Sequence, residues 1–388
     1  MIASPIAERL VTSQSSGARR YFGLKVRAGA WVLVPREGAR ARDGLAIYNP
    51  QSLGGILKKA LANRGVWAGK RIYLRDQMLR EIEAVLEEQI GIAPLHCAFY
   101  FRSPGLFSKT IALALDRYGC AVAYVKFGVT AEGEMALARE TDALDKLAAV
   151  PELASCVPRV IGRGRWLEYP MLVVSVGAPS RRCGSFGPAQ ETFLHDLRKA
   201  TAKRKAFRDS VMWKAMSTRF AAGRAALGTL ACERYVWALE NIENRLGSQP
   251  LTMSLAHRDF VPWNMHYDHN GALFVYDWEL AQDECTPGWD FFHYHLASQP
   301  LRPSDRIEEI AEALLREAER AGIAPARDCL LGYLADVGLF LRDRLWRSPG
   351  KIGNTYVSFV EAMMDCVFRD KMSSTVAHST RLTEELAP

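Results

Sequence analysis

The alternation of apolar and polar positions changes character along this chain. Up to about residue 178 it favours short strands. Tyr21–Val34 is rich in β-type residues, and Leu45–Tyr48 reads as a second strand. Leu53–Ala62 has helical spacing. Arg75–Gln89 has it strongly, with Met78, Ile82, Val85 and Leu86 on one apolar face. His96–Phe101, Lys109–Asp116 and Ala121–Phe127 then read as strands, separated by turns at Ser103-Pro104-Gly105 and Arg117-Tyr118-Gly119. Glu132–Ala149 follows as a helix with Leu137, Leu144 and Leu147 on one face, and Trp166–Val176 as further strand. From Ala189 onward the period is mostly helical, over Val211–Leu246, Asp305–Ala321 and Asp328–Trp346. Residues 251–279 interrupt it with a loop and a short hairpin. Strands early and helices late predict an α+β, two-lobed layout. Its expected parts are an N-terminal module over 1–95, a strand-rich lobe over 96–178 and a helical lobe over 179–388.

Composition narrows this reading without redirecting it. A chain of 388 residues exceeds one ordinary core. Hydrophobic residues at 49% and charged residues at 24% are globular proportions. No apolar run reaches the ~18 residues of a membrane span, and the first 22 residues lack a signal-peptide apolar block. The expectation is a soluble, cytoplasmic protein with no membrane partner. Eight cysteines, with no Cys-x-x-Cys pair, read as buried small side chains in a reducing compartment. The net charge of +7 favours anionic ligands. The basic stretch from Arg198 to Arg208 reads as a solvated helix face or linker. Without zinc-finger spacing or an aromatic RNA-binding signature, no nucleic-acid partner is expected.

The chemistry concentrates in residues 256–280, AHRDFVPWNMHYDHNGALFVYDWEL. Pro262 bars a regular helix between Asp259 and Asn264, so both lie on a loop that can aim them into one cleft. Asn270-Gly271 reads as a two-residue hairpin turn that brings the chain back to Asp277 near Asn264. An Asp carboxylate and an Asn amide oxygen are hard ligands suited to Mg²⁺, and a second carboxylate can take the proton of an attacking hydroxyl. Phosphoryl transfer needs that set of groups. Asp259 therefore reads as the base, and Asn264 and Asp277 as metal ligands.

These residues resemble the catalytic and metal-binding segments of the aminoglycoside phosphotransferase and choline kinase superfamily, which shares the protein-kinase-like fold. His257, Asp259, Pro262, Trp263 and Asn264 match its His-x-Asp…Pro-Trp-Asn pattern, and Asp277-Trp278-Glu279 its Asp-Trp-Glu segment. Arg258 stands where that family more often has Gly. The resemblance covers about residues 96–345. It implies that Lys126 holds nucleotide phosphates, that Glu140 pairs with it, and that the hinge over Leu172–Gly177, with Val174 and Val176, meets the base. It further implies that His257 props the catalytic loop, that Asp290 braces it, and that Glu279 supports the metal segment. The phosphate loop falls at Ser103–Ser108, where Gly105 is the one evident glycine. The cofactors implied are ATP or GTP and Mg²⁺. The partner implied is a small hydroxyl-bearing molecule such as a sugar, an amino alcohol or an aminoglycoside-like compound.

Two other readings compete. A non-catalytic kinase-fold binding protein is expected to lack Asp259, Asn264, Asp277 or Lys126, and all four are present. His266, His269, His293, His295 and Cys285 invite a zinc site, but His266 and His269 flank a turn.

Overall fold

The computed structural model describes residues 2, 4–27, 29–36, 43–50, 53–64, 70–102, 109–298, 306–347 and 354–369. The chain forms two compact units. One comprises Met1–Cys183 and Met265–Leu280, and the other Gly184–Asn264 and Ala281–Pro388. The strand-rich and helical parts follow the expected α+β order.

The first unit is built on nine strands: β1 (Val11–Thr12), β2 (Ala18–Arg27), β3 (Ala30–Pro35), β4 (Lys70–Arg75), β5 (His96–Phe101), β6 (Lys109–Leu115), β7 (Ala121–Gly128), β8 (Val160–Trp166) and β9 (Tyr169–Ser175). Their order in the sheet is β1-β4-β2-β3-β5-β6-β7-β9-β8. The boundary expected at residue 95 divides no compact units, because β3 pairs with β5 through Trp31↔Phe101 and Leu33↔Phe99. The opening residues continue the same sheet. The stretch read as one strand over Tyr21–Val34 turns at Gly29, and Leu45–Ile47 is a 3-10 turn rather than a strand. Two buried residues spaced two apart fit either form, so that short segment is ambiguous by pattern alone.

The two-residue period distributes side chains onto both faces of the sheet. Cys97, Phe99, Phe101, Ala112, Ala114, Val125 and Phe127 pack beneath the helices Pro5–Leu10 and Asp76–Ile90, against Ile6, Leu10, Leu79, Ile82 and Leu86. Phe99 and Phe101 stack at 5.7 Å, an arrangement worth about 0.5–1.5 kcal/mol beyond their burial. On the other face, Leu113 and Leu115 pack with Val32, Val34, Leu45 and Ile47, and Ile111, Tyr124 and Val176 lie against that cluster. Lys126, in register with Ile111, falls on this second face. A short sheet of β10 (Arg181–Arg182), β13 (Met265–Tyr267) and β14 (Leu273–Val275) completes the unit.

The second unit is mainly helical. Its central helix, Ala326–Arg347, is buried without interruption from Cys329 to Leu339, so it is enclosed on every side. Around it pack Tyr235, Trp289, Phe292 and Met363. Against this core lies a sheet of β11 (Lys203–Ala206), β12 (Pro250–Ala256) and β15 (Gln282–Cys285). The basic stretch therefore begins on a helix face, with Arg198 and Lys199 in the last turn of Pro188–Thr201, and continues as the strand β11. Lys205 Nζ lies 2.6 Å from Glu284 Oε2, and Lys203 Nζ 3.7 Å from Oε1. The same carboxylate accepts the Val211 N–H at 2.9 Å, at the start of the Val211–Gly223 helix.

Burial would raise the Glu284 pKa, but Lys205 and the Val211 N–H outweigh it and hold it below the ordinary value. A depressed folded pKa contributes stability above the unfolded pKa, about 4.3, that is lost as pH falls through the folded value. Glu284→Gln should therefore melt below wild type at neutral pH, and the gap should close as the pH drops below about 4. Melting curves from pH 3 to 8 check this.

Candidate active site

Candidate side chains of the first unit gather around Asp277. Lys126 leaves β7 near its end, two residues before Gly128, beyond which the chain turns into a helix. A β-carbon at Gly128 would lie 2.9 Å from the Glu134 nitrogen, so only glycine lets the helix start so close to the strand. Thr130 caps that helix, Ala131–Ala148, by accepting the Gly133 N–H at 3.0 Å. Ten residues on, the helix buries Glu140 completely. Lys126 Nζ donates to Glu140 Oε1 at 2.6 Å, to Oε2 at 2.8 Å, and to Asp277 Oδ1 at 2.8 Å. All three ammonium hydrogens are thereby used. Burial alone would lower the Lys126 pKa, yet Asp277 and Glu140 hold it above the ordinary lysine range.

Asp277 follows β14 in the left-handed region at φ +71, which aspartate tolerates better than most residues. Its neighbours fix it there. Trp278 is fully buried and donates Nε1–H to the Val275 carbonyl at 3.1 Å. Arg139, beside Glu140, donates to the Glu279 carbonyl at 3.1 Å. A lysine absent from the sequence reading, Lys109 at the start of β6, reaches the same point. Its Nζ lies 2.6 Å from Asp277 Oδ1 and 2.6 Å from Glu279 Oε2. The second is an ion contact outside hydrogen-bond geometry, which leaves Glu279 Oε2 buried and without a hydrogen bond among the described residues. Burial pushes the Asp277 carboxyl up, but Lys109 and Lys126 together hold it well below the usual carboxylate range.

The hairpin before Asp277 is longer than expected. The Asp268 N–H bonds the Ala272 carbonyl at 2.9 Å, leaving His269, Asn270 and Gly271 in the loop. The Asp268 carboxylate accepts from the Asn270 and Ala272 N–H groups, both at 2.8 Å, and Gly271 has φ +80. An aspartate closing its own turn wins over the two-residue form. Val174 is buried on β9, and Val176 lies one residue beyond that strand. Gly105 and its loop lie outside the described residues.

In the second unit, Asp290 organises the loop after β12. Its carboxylate accepts the backbone N–H of His257 at 2.7 Å and of Arg258 at 2.9 Å. Burial raises its pKa against the opposing pull of His257. His257 is fully buried, and its Nδ1 accepts the Asp259 N–H at 3.2 Å. Asp259 is thereby held between a braced backbone and its own side-chain partners. Asn264 Nδ2 donates to Asp259 Oδ2 at 2.7 Å and to its carbonyl at 2.9 Å. Both acceptors demand the nitrogen, so the Asn264 Oδ1 oxygen is turned away from Asp259. His293 Nε2 stands 3.6 Å from Asp259 Oδ1.

Arg258, at φ +66, is anchored by the wholly buried Asp336 at 2.6 Å, by Gln282 at 2.6 Å, and over the Trp289 ring at 5.2 Å. Asp336 also accepts from Arg219 at 3.1 Å and from Trp289 Nε1 at 3.0 Å. A single aspartate inside the apolar run Leu330–Leu339 is the sequence signal that marks such a buried, partnered charge. The histidines have other settings: His266 stacks on Phe274 at 5.0 Å, and His293 on Trp289 at 5.1 Å. His293 and His295 sit on the helix Trp289–Ala297, not on a strand.

The donors suit Mg²⁺. The first unit offers hard oxygens from Asp277 and Glu279, both facing lysine ammonium groups. The second offers the outward Asn264 amide oxygen, which is of the same kind. Among the described residues no helix is long and apolar enough to cross a membrane.

No family model matches the chain, and no curated protein matches it. Solved structures similar to it include a thermostable mutant of aminoglycoside phosphotransferase APH(4)-Ia in its apo form. That match has 18% identity, covers 74% of this chain and 99% of the other, and has a TM-score of 0.47. The gentamicin–APH(2")-IIa complex matches at 17% identity, 73% and 97% coverage and a TM-score of 0.47. The choline kinase LicA from Streptococcus pneumoniae matches at 13% identity, 74% and 99% coverage and a TM-score of 0.46. Two of these structures are of aminoglycoside phosphotransferases and the third is of a choline kinase.

Proposed function

We propose that this chain is an ATP- or GTP-dependent phosphotransferase that passes the γ-phosphoryl group to a hydroxyl of a small molecule. The observation that carries the reading is the buried Lys126–Glu140 pair joined through Lys126 to Asp277. Ion pairs this deep contribute little net stability, while removing one partner costs about 3–5 kcal/mol. A fold gains little from such an arrangement unless it serves chemistry. Asp259 and Asn264 supply the complementary set. Asn264 is bonded directly to Met265, which opposes Val275 in the hairpin, two residues before Asp277.

In this reading the Val176 backbone meets the base, and Lys126, oriented by Glu140, contacts the phosphates. Asp277 with Glu279 in the first unit, and Asn264 in the second, are each suited to hold Mg²⁺, which would neutralise charge on the transferring phosphoryl group. Asn264 orients the Asp259 carboxylate, which would receive the acceptor's hydroxyl proton. The residues contribute chiefly position and electrostatics. The first 95 residues wall the Lys126 face of the sheet through Leu45 and Ile47.

Thermal melting with ATP, with Mg²⁺ and with both tests the reading. Wild type should rise with the two together, by an amount equivalent to about 2.7 kcal/mol at a hundredfold excess over Kd. Asp277→Ala should lose that shift. A wild-type melting point indifferent to nucleotide, with or without Mg²⁺, would contradict the reading.

A further inference from the structure

Lys126 carries the role that the motif order assigns to it, yet its three donors are committed within the protein. Lys109 is differently placed. Register puts Lys109 opposite Gly128 and Ile111 opposite Lys126, so both lysines stand on the same face of neighbouring strands. Their ammonium groups share one oxygen, Asp277 Oδ1, at 2.6 and 2.8 Å. Among the described residues Lys109 makes that one hydrogen bond and the unaligned contact with Glu279, although its side chain is only 2% exposed. A buried ammonium with unused donors is costly unless something else takes them. Three carboxylates, Glu140, Asp277 and Glu279, here meet two ammonium groups.

Lys109 also directly follows the segment Ser103–Ser108, where glycine-rich backbone would be expected to hold phosphate oxygens. That segment has one glycine, and Pro104 has no N–H to offer.

We propose that Lys109 is a second phosphate-directed lysine. In the nucleotide-free protein it neutralises Asp277 and Glu279. When a divalent cation takes those carboxylates, Lys109 turns its donors to the terminal phosphates of a nucleoside triphosphate. This rests on the nucleotide reading above and deepens it. The interaction is non-covalent, and no proton changes owner.

The test uses the full chain and titration calorimetry with ATP, with AMP, and with Mg²⁺ alone. Lys109→Met should weaken ATP roughly tenfold or more in the presence of Mg²⁺, the loss of one charge-assisted contact. It should leave AMP affinity unchanged and bind Mg²⁺ alone more tightly, because a competing cation is gone. Lys109→Arg should recover most of the ATP affinity. Unchanged ATP affinity in Lys109→Met overturns the proposal. An equal loss for ATP and AMP also overturns it, since that marks a merely structural lysine. If Lys109→Met does not fold, an acyl-phosphate derivative of ATP, which acylates lysines beside the phosphates, decides on the wild-type protein. ATP-protected label on Lys109 supports the assignment, and label on Lys126 alone overturns it. A wild type that binds neither ATP nor its Mg²⁺ complex would instead remove the nucleotide reading on which both rest.

Discussion

Asp259→Ala is expected to abolish phosphoryl transfer, by about 10²–10⁴-fold if the carboxylate serves as general base, while nucleotide binding persists. The local structure explains the separation. Asn264 Nδ2 bonds both the Asp259 carboxylate, at 2.7 Å, and the Asp259 carbonyl, at 2.9 Å. Alanine removes the first contact and keeps the second, so the loop retains an anchor. Lys126 is held by Glu140 and Asp277, so the set proposed to hold phosphate keeps its own ion pairs. Steady-state transfer measured beside nucleotide affinity checks both halves. Near-normal turnover in Asp259→Ala would remove Asp259 from the role of base.

Asp290→Ala is expected to have the largest effect on stability. It would strip the acceptor from two buried N–H groups, those of His257 and Arg258. Each buried donor left unpaired costs about 1–3 kcal/mol, so the pair amounts to roughly 2–6 kcal/mol. Typical domains hold only about 5–15 kcal/mol in total. The released segment also includes Arg258 at φ +66, a conformation that survives only when its surroundings impose it. Activity should fall with stability, because Asp259 follows immediately. Asp290→Asn should cost less, since its amide oxygen still accepts a bond and the carboxylate's own burial penalty disappears. Denaturant unfolding of the three proteins decides the matter. An Asp290→Ala midpoint equal to wild type would show that the brace is not needed.

Much of the site was legible because its chemistry is local in sequence. Pro262 between Asp259 and Asn264 bars a regular α-helix through them, leaving one 3-10 turn over Pro262–Asn264, and the Asp-Trp-Glu segment follows after one hairpin. Lys126 and Glu140 follow from the family resemblance, which the strand ending just before a helix supports. Lys109 was invisible for the opposite reason. Its proximity to Asp277 comes from the β6–β7 register and from a return of the chain 168 residues later, neither of which a local pattern encodes. The same limit applies to the first 95 residues, which read as separate until the β3–β5 pairing joins them to the sheet. β11 was concealed by its charges. A strand of Lys-Arg-Lys-Ala has no apolar alternation, and Glu284, far along the chain, provides the counter-charge for Lys205. The turn over Asp268–Ala272 shows that a dipeptide signal can be overruled by a side chain just outside it.

Transfer of a radiolabelled γ-phosphoryl group from ATP, in Mg²⁺, to a panel of sugars, amino alcohols and aminoglycosides tests the central claim most directly. The account predicts a labelled acceptor with wild type and none with Asp259→Ala. Label that stays on ATP across the panel, in a protein whose melting point ignores nucleotide, would contradict it.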